Sequence, residues 1–230
     1  MVIDRHILSW ALSEKHLHGR MSFIAGPRQI GKTTSIQKFL TSINQEKLYY
    51  NWDAPTVKKR FASNPAFFLE DIPPEIPRPW LALDEIHKYP KWKNLLKGYY
   101  DEWKNRIQFA VTGSARLDFF RKSGDSLVGR YFLFKMLPLG LNEILEKTPS
   151  DFWSPNQNLE WVPTADPTAF QGIESLLNLS GFPEPFSVGT ADFSRRWRDQ
   201  YASLVIHEDI RDLTKISHVG KLETLMYLLP

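Results

Sequence analysis

The run Gly26-Pro27-Arg28-Gln29-Ile30-Gly31-Lys32-Thr33 satisfies G-x-x-x-x-G-K-[ST] at every specified position, and no other stretch limits the fold as tightly. Its two glycines let the backbone bend sharply, so that successive N–H groups and the start of the next helix converge on a polyphosphate. Lys32 brings a point charge, and Thr33 brings a hydroxyl suited to the magnesium ion that bridges the outer phosphates. The pattern has few fixed positions, so its flanks decide. Met21-Ser22-Phe23-Ile24-Ala25 before it is a short apolar run suited to a buried strand, and Ile36, Phe39 and Leu40 after it fall at helical spacing. Strand, glycine loop, helix is the order a phosphate-binding loop requires, with Thr34 continuing into the helix.

A second signature lies downstream. The segment from Ile72 to Pro79 is too rich in proline for helix interior or central strand. It feeds Trp80-Leu81-Ala82-Leu83-Asp84-Glu85, an apolar run ending in two carboxylates. Asp84 suits a metal's water shell, and Glu85 suits orienting and deprotonating an attacking water. Three more strand-like runs, Lys47 to Asp53, Arg106 to Thr112 and Tyr131 to Phe134, complete a set of five. Between them fall a helix from Ala54-Pro55 toward Asn64 and one from Pro90 with Trp92, Leu95, Leu96, Tyr99 and Trp103 as its core stripe.

Strand ends supply further candidates. Ser114, with Thr112 as runner-up, follows the fourth strand where a side chain would meet the terminal phosphate or the water. Asp53 ends the second strand; it reads as a helix-entry carboxylate ahead of a route to the nucleotide or magnesium. His87 and Lys88 read as surface loop residues. Of Arg116, Arg121 and Arg130, we favour Arg130 for stabilising charge on the transferred phosphate, because Gly129 and the following strand fix its position.

The 230 residues, 42% hydrophobic, can build a real core, and the lack of cysteine fits a reducing compartment, with cytoplasm the expectation. Val2 to Leu17 mixes apolar and charged residues and reads as one amphipathic helix, not a signal peptide. No run suits a membrane span. A net charge of +3 is compatible with nucleic acid without arguing for it. Residues 1–150 read as an ATPase-sized domain, 151–167 as a linker, and 168–230 as a helical segment. In that segment Phe193, Trp197, Tyr201, Leu204 and Val205 form a stripe, with Arg195, Arg196 and Arg198 opposite on what reads as a solvated face. His207, Glu208 and Asp209 do not share a helical face and make no metal site.

Together the residues resemble the archaeal-type AAA ATPases, P-loop proteins whose ATPase module precedes a C-terminal domain of unknown function. The resemblance is carried by Gly26 to Thr34, Leu83 to Lys88, Thr112 to Ala115, Ser126 to Arg130 leading to Leu139, Gly181 to Glu184, and Glu208 to Ile210. It spans residues from about 5 to 215 in the family's order. It implies an α/β P-loop fold: three layers, a five-stranded parallel sheet with the glycine-loop strand beside the fourth, then a helical segment. It also implies ATP with Mg2+, Ser114 in a sensing position, a part for Arg130, and ATP hydrolysis or a nucleotide-gated switch. ATP or ADP are the expected ligands, self-association is compatible, and the chain's end suggests that most of the C-terminal domain lies outside it.

Overall fold

The computed structural model describes residues 3–113, 127–146 and 167–205. The chain divides into two compact units, one of residues 3–138 and one from residue 139 onward.

The first unit is built on five parallel strands: β1 (Met21–Ala25), β2 (Tyr49–Asn51), β3 (Trp80–Asp84), β4 (Gln108–Gly113) and β5 (Tyr131–Lys135). Their order is β2-β3-β4-β1-β5, which sets the glycine-loop strand beside β4. Parallel pairing demands a crossover between successive strands. The helices α3 (Lys32–Ser42), α4 (Pro55–Ser63) and α5 (Trp92–Trp103) supply the first three. Strands β1, β3 and β4 are buried throughout, so their sequences read as near-continuous apolar runs.

Alternation along the strands sorts side chains between the two faces. Phe23, Leu81, Leu83, Phe109 and Val111 join Trp92, Leu96, Tyr99 and Trp103 of α5 in one cluster. The opposite face carries Ser22, Ala110 and Ala82 in register across three strands. That row of small residues lies beneath α3, whose Ile36 and Leu40 are buried and whose Phe39 meets Trp80 edge-on. The next row on the same face is Ile24, Thr112 and Asp84. This parity is why Asp84 emerges beside the start of α3.

The N-terminal segment departs from the single amphipathic helix expected of it. It forms α1 (Ile7–Ala11) and α2 (Glu14–Leu17), broken where Ser13 turns extended. Ala11 and Leu17 are both fully buried. On one unbroken helix they would point about 120° apart, and the break brings both inward. Arg5, one of the charged residues of this segment, is only 7% exposed.

The second unit contributes α6 (Leu141–Ile144), α7 (Pro167–Leu179), α8 (Pro183–Val188) and α9 (Ala191–Leu204) among the described residues. Phe182 packs on Trp197 and Tyr201, with both ring centroids at 4.8 Å. Trp197 donates its indole N–H to Glu184 at 3.1 Å. Thr190 caps α9 by accepting from the Phe193 N–H. The run Gly181 to Glu184 therefore has a packing role, joining α7 to α9.

Candidate functional site

The glycine loop leaves β1 at its C-terminal end and enters α3 through Gly31, whose φ is +93°. That left-handed geometry suits glycine. Gln29, at φ +57°, shares the region, and exposed Gln29 lies between part-buried Arg28 and buried Ile30. Gly26 is fixed by proximity: a Cβ there would stand 2.4 Å from the Met136 carbonyl oxygen. Met136 is itself tied to β1 by its N–H on the Ala25 carbonyl at 2.7 Å. The loop runs so close to the end of β5 that no side chain fits.

Lys32 is buried, and its Nζ donates to the Gly26 carbonyl at 2.9 Å and the Pro27 carbonyl at 2.7 Å. Its ammonium is thus curled over the loop's first two residues. The first α3 ladder bond to the loop runs from Ser35 N–H to the Gly31 carbonyl at 2.9 Å. As at any helix start, the amides before it lie beyond the helix's own ladder, with the positive end of the dipole. Thr34 is exposed at that end.

Asp84 is 1% exposed and collects three hydroxyls. Thr33 donates to Oδ2 at 2.7 Å and Tyr49 to the same oxygen at 2.5 Å, while Thr112 donates to Oδ1. Burial, then the bond to Asp84 and its charge, pushes the Tyr49 phenol well above its ordinary range, so it stays a neutral donor. Thr112, the runner-up to Ser114 for meeting the terminal phosphate or the water, spends its hydroxyl on Asp84.

Glu85 adopts φ +58°, and its N–H bonds the Thr112 carbonyl at 3.1 Å. This turn starts a 3-10 segment, Ile86–Lys88, that folds back on the sheet with Ile86 fully buried. It carries His87 inward as well. The His87 side chain is 4% exposed, with Nε2 3.6 Å from Glu85 Oε2, which corrects its reading as a surface residue. Lys88 Nζ lies 3.5 Å from the same carboxylate oxygen and also bonds Asp53. Asp53 is not a helix cap either; α4 is capped by Ala54 without a side-chain bond. Burial raises the Glu85 pKa, opposed by Lys88 and Lys32 and reinforced by Asp84.

The site thus brings together the loop, Lys32, Thr33, Asp84 and Glu85. Arg130 is not brought to it within the chain. It precedes β5, and Tyr131 pairs with Met21, the first residue of β1. Because the two strands are parallel, Arg130 sits at the N-terminal edge, about 15 Å of strand away from the loop. There its guanidinium forks onto Asp101 at 2.9 and 3.1 Å. Ser114, Arg116 and Arg121 lie outside the described residues, as do Glu208 to Ile210.

Two participants were missed. Tyr49 gave no sequence signal beyond lying on a strand. Arg5 donates to the loop carbonyl of Ile30 at 2.8 Å and to that of Leu137.

A family model described as an AAA domain matches residues 18–145. The chain belongs to the AAA domain family. An AAA domain is a P-loop module of the ATPase type and binds nucleotide, which agrees with the parallel sheet and the glycine loop at its C-terminal edge. No curated protein matches the chain. Among the described residues no helix is long and apolar enough to cross a membrane.

Proposed function

We propose that this AAA domain hydrolyses ATP with magnesium, as an archaeal-type AAA ATPase whose module spans about residues 1–150. The observation that carries the reading is the direct bond between Thr33 and Asp84, 2.7 Å long, which joins the glycine loop to the acidic strand end. The residues fit the ligands. The backbone N–H groups of the loop and of the start of α3 suit a polyphosphate, and the Lys32 ammonium, on the Gly26 and Pro27 carbonyls, lies within the loop that would hold it. Thr33 and Asp84 offer hard oxygens, the donor type magnesium takes beside phosphate oxygens and water. Among the described residues no cluster of three or more His, Cys, Asp or Glu could hold a metal alone, so the nucleotide would complete the shell. Bound magnesium would neutralise charge on the outer phosphates.

The rest falls to the chain. Lys32 and the loop hold the phosphates, Tyr49 and Thr112 aim Asp84, and Glu85 takes the proton from water, its affinity for one raised by burial. Ser114 and Arg130 remain proposed contributors, Arg130 through a neighbouring copy since its own edge is remote. Residues 168–230 would receive the nucleotide signal across the linker 151–167.

A second reading has its own observation. Lys88 and His87 both approach Glu85 Oε2, at 3.5 and 3.6 Å, and a base held this way favours a nucleotide-gated switch with slow turnover. Phosphate release from Mg-ATP by wild type and Glu85→Gln, with ATP affinity measured in both, decides. Turnover lost in the variant with binding intact supports hydrolysis. Equal turnover in both would remove Glu85 as base, and tight binding without turnover in either would favour the switch.

A further inference from the structure

Asp84 has a partner that lies outside both sequence motifs. Tyr49 opens β2 and pairs with Ala82, while Asn51 pairs with Asp84. Tyr49 therefore shares a sheet face with Asp84 but stands one row behind it, about 6.6 Å back along the strand. A phenol spans that offset, and a serine or threonine hydroxyl at the same position would not. Packing alone does not account for the residue: its side chain is only part-buried, and its one oxygen sits on the carboxylate at 2.5 Å.

The bond matters because of what it uses up. An ionised carboxylate offers about four acceptor positions, two on each oxygen. Here Oδ2 accepts from both Thr33 and Tyr49, and Oδ1 accepts from Thr112. Among the described residues no fourth donor reaches the group, so about one position remains, on Oδ1. Thr33 spends only its proton on Asp84 and keeps its own lone pairs for a cation. Tyr49, by contrast, fills the second position on Oδ2 outright.

A carboxylate filled in this way discriminates between hard cations. Magnesium is small, dehydrates reluctantly and keeps several of its waters, whereas calcium is larger and takes carboxylates directly, often through both oxygens. One free position suits a metal-bound water, and it cannot supply a two-oxygen grip. We propose, taking Thr33 and Asp84 as the metal side of the ATP site proposed above, that Tyr49 is a positioning residue that makes this site select magnesium over calcium. It does so by closing Oδ2 of Asp84 to direct coordination and fixing Oδ1 toward the metal's water. Thr112 acts with it from the other oxygen.

The experiment is equilibrium binding of a fluorescent, non-hydrolysable ATP analogue to the full chain in chelator, in rising magnesium and in rising calcium, so that no turnover is needed. Tyr49→Phe should keep the metal-free affinity within about twofold of wild type and lower the ratio of magnesium-dependent to calcium-dependent gain about tenfold, the usual scale for losing a partner behind a metal ligand. Thr112→Val, which frees a position on Oδ1, should move the ratio in the same direction and serves as the second arm if Tyr49→Phe does not fold. Tyr50→Phe loses an equivalent hydroxyl bond, to Asp71, and should leave the ratio unchanged. A wild type that responds to magnesium beside a Tyr49→Phe with the same ratio overturns the proposal, as does an equal loss of affinity in chelator, magnesium and calcium, which would make Tyr49 structural only. A wild type that binds the analogue equally well with and without metal is a different failure: it removes Thr33 and Asp84 as the metal side, and the role of Tyr49 with them.

Discussion

Replacing Arg5 tests whether the phosphate loop is held in place by a buried cation beneath it. The guanidinium is 7% exposed and bonds the carbonyls of Ile30, inside the loop, and of Leu137, just past β5. Each is a charge-assisted bond of about 1.5–3 kcal/mol. Arg5→Met keeps most of the aliphatic stem and removes both, a gross loss of about 3–6 kcal/mol. Relief of the cost of burying a charge returns part of that, leaving a net destabilisation of about 2–3 kcal/mol. Arg5→Lys keeps the charge but cannot fork across two carbonyls, and should lose about 1–1.5 kcal/mol.

Urea unfolding followed by tryptophan fluorescence, without nucleotide, measures these losses. The same variants titrated with a fluorescent ATP analogue, under conditions where both are fully folded, report on the loop. Affinity should fall about tenfold or more in each, because Ile30 loses its tether. Stability of the Met variant within about 0.5 kcal/mol of wild type, with ATP affinity unchanged, would refute the reasoning and return Arg5 to the solvated surface.

Two more expectations follow from local geometry. Gly26→Ala sets a Cβ 2.4 Å from a backbone oxygen that cannot swing away; the loop must shift, at about 1–3 kcal/mol in calorimetry, and unchanged stability would mean that the close approach is not real. Asp71 accepts from Tyr50 at 2.7 Å and from both terminal nitrogens of Arg60 at 2.7 and 3.1 Å. Burial alone would raise its pKa, but these bonds outweigh it and lower it. Its contribution, about 1 kcal/mol given the part-exposed Arg60, is therefore complete above the ordinary carboxylate range and lost as pH falls through the depressed folded pKa. Wild-type stability should fall more steeply than that of Asp71→Asn below about pH 4, and parallel curves in urea titrations would contradict this.

The strands were legible because three of them are buried on both faces, so Met21–Ala25, Trp80–Asp84 and the centre of Gln108–Gly113 had to be apolar runs whatever their neighbours. Asp84 was legible as the polar residue ending such a run. Its partners were not, since Tyr49 and Thr112 reach it through strand order and parity, which are facts about pairing and not about any one segment. Arg5 escaped for a similar reason. A charge on a short amphipathic stretch is ordinarily solvated, and only the carbonyls of Ile30 and Leu137, 25 and 132 residues away, make it a buried one.

Arg130 shows how one unreadable bit, strand direction, decides a functional assignment. Had β5 run antiparallel to β1, the residue before it would have stood beside the glycine loop, where a cation stabilises charge on a phosphate. Parallel pairing of Met21 with Tyr131 sends it to the other edge, onto Asp101 and against Tyr100. The same direction sends Arg20, Arg78, Lys104 and Arg106 there too, because in a parallel sheet every residue leading into a strand meets the others at one edge. The topology that separates Arg130 from the phosphates thus also gathers five cations that lie up to 110 residues apart, from Arg20 to Arg130. A parallel sheet has two edges of different chemistry: here Arg78 and Arg130 answer the carboxylates of Glu14 and Asp101 at the N-terminal one, while Lys32 and the glycine loop stand at the C-terminal one.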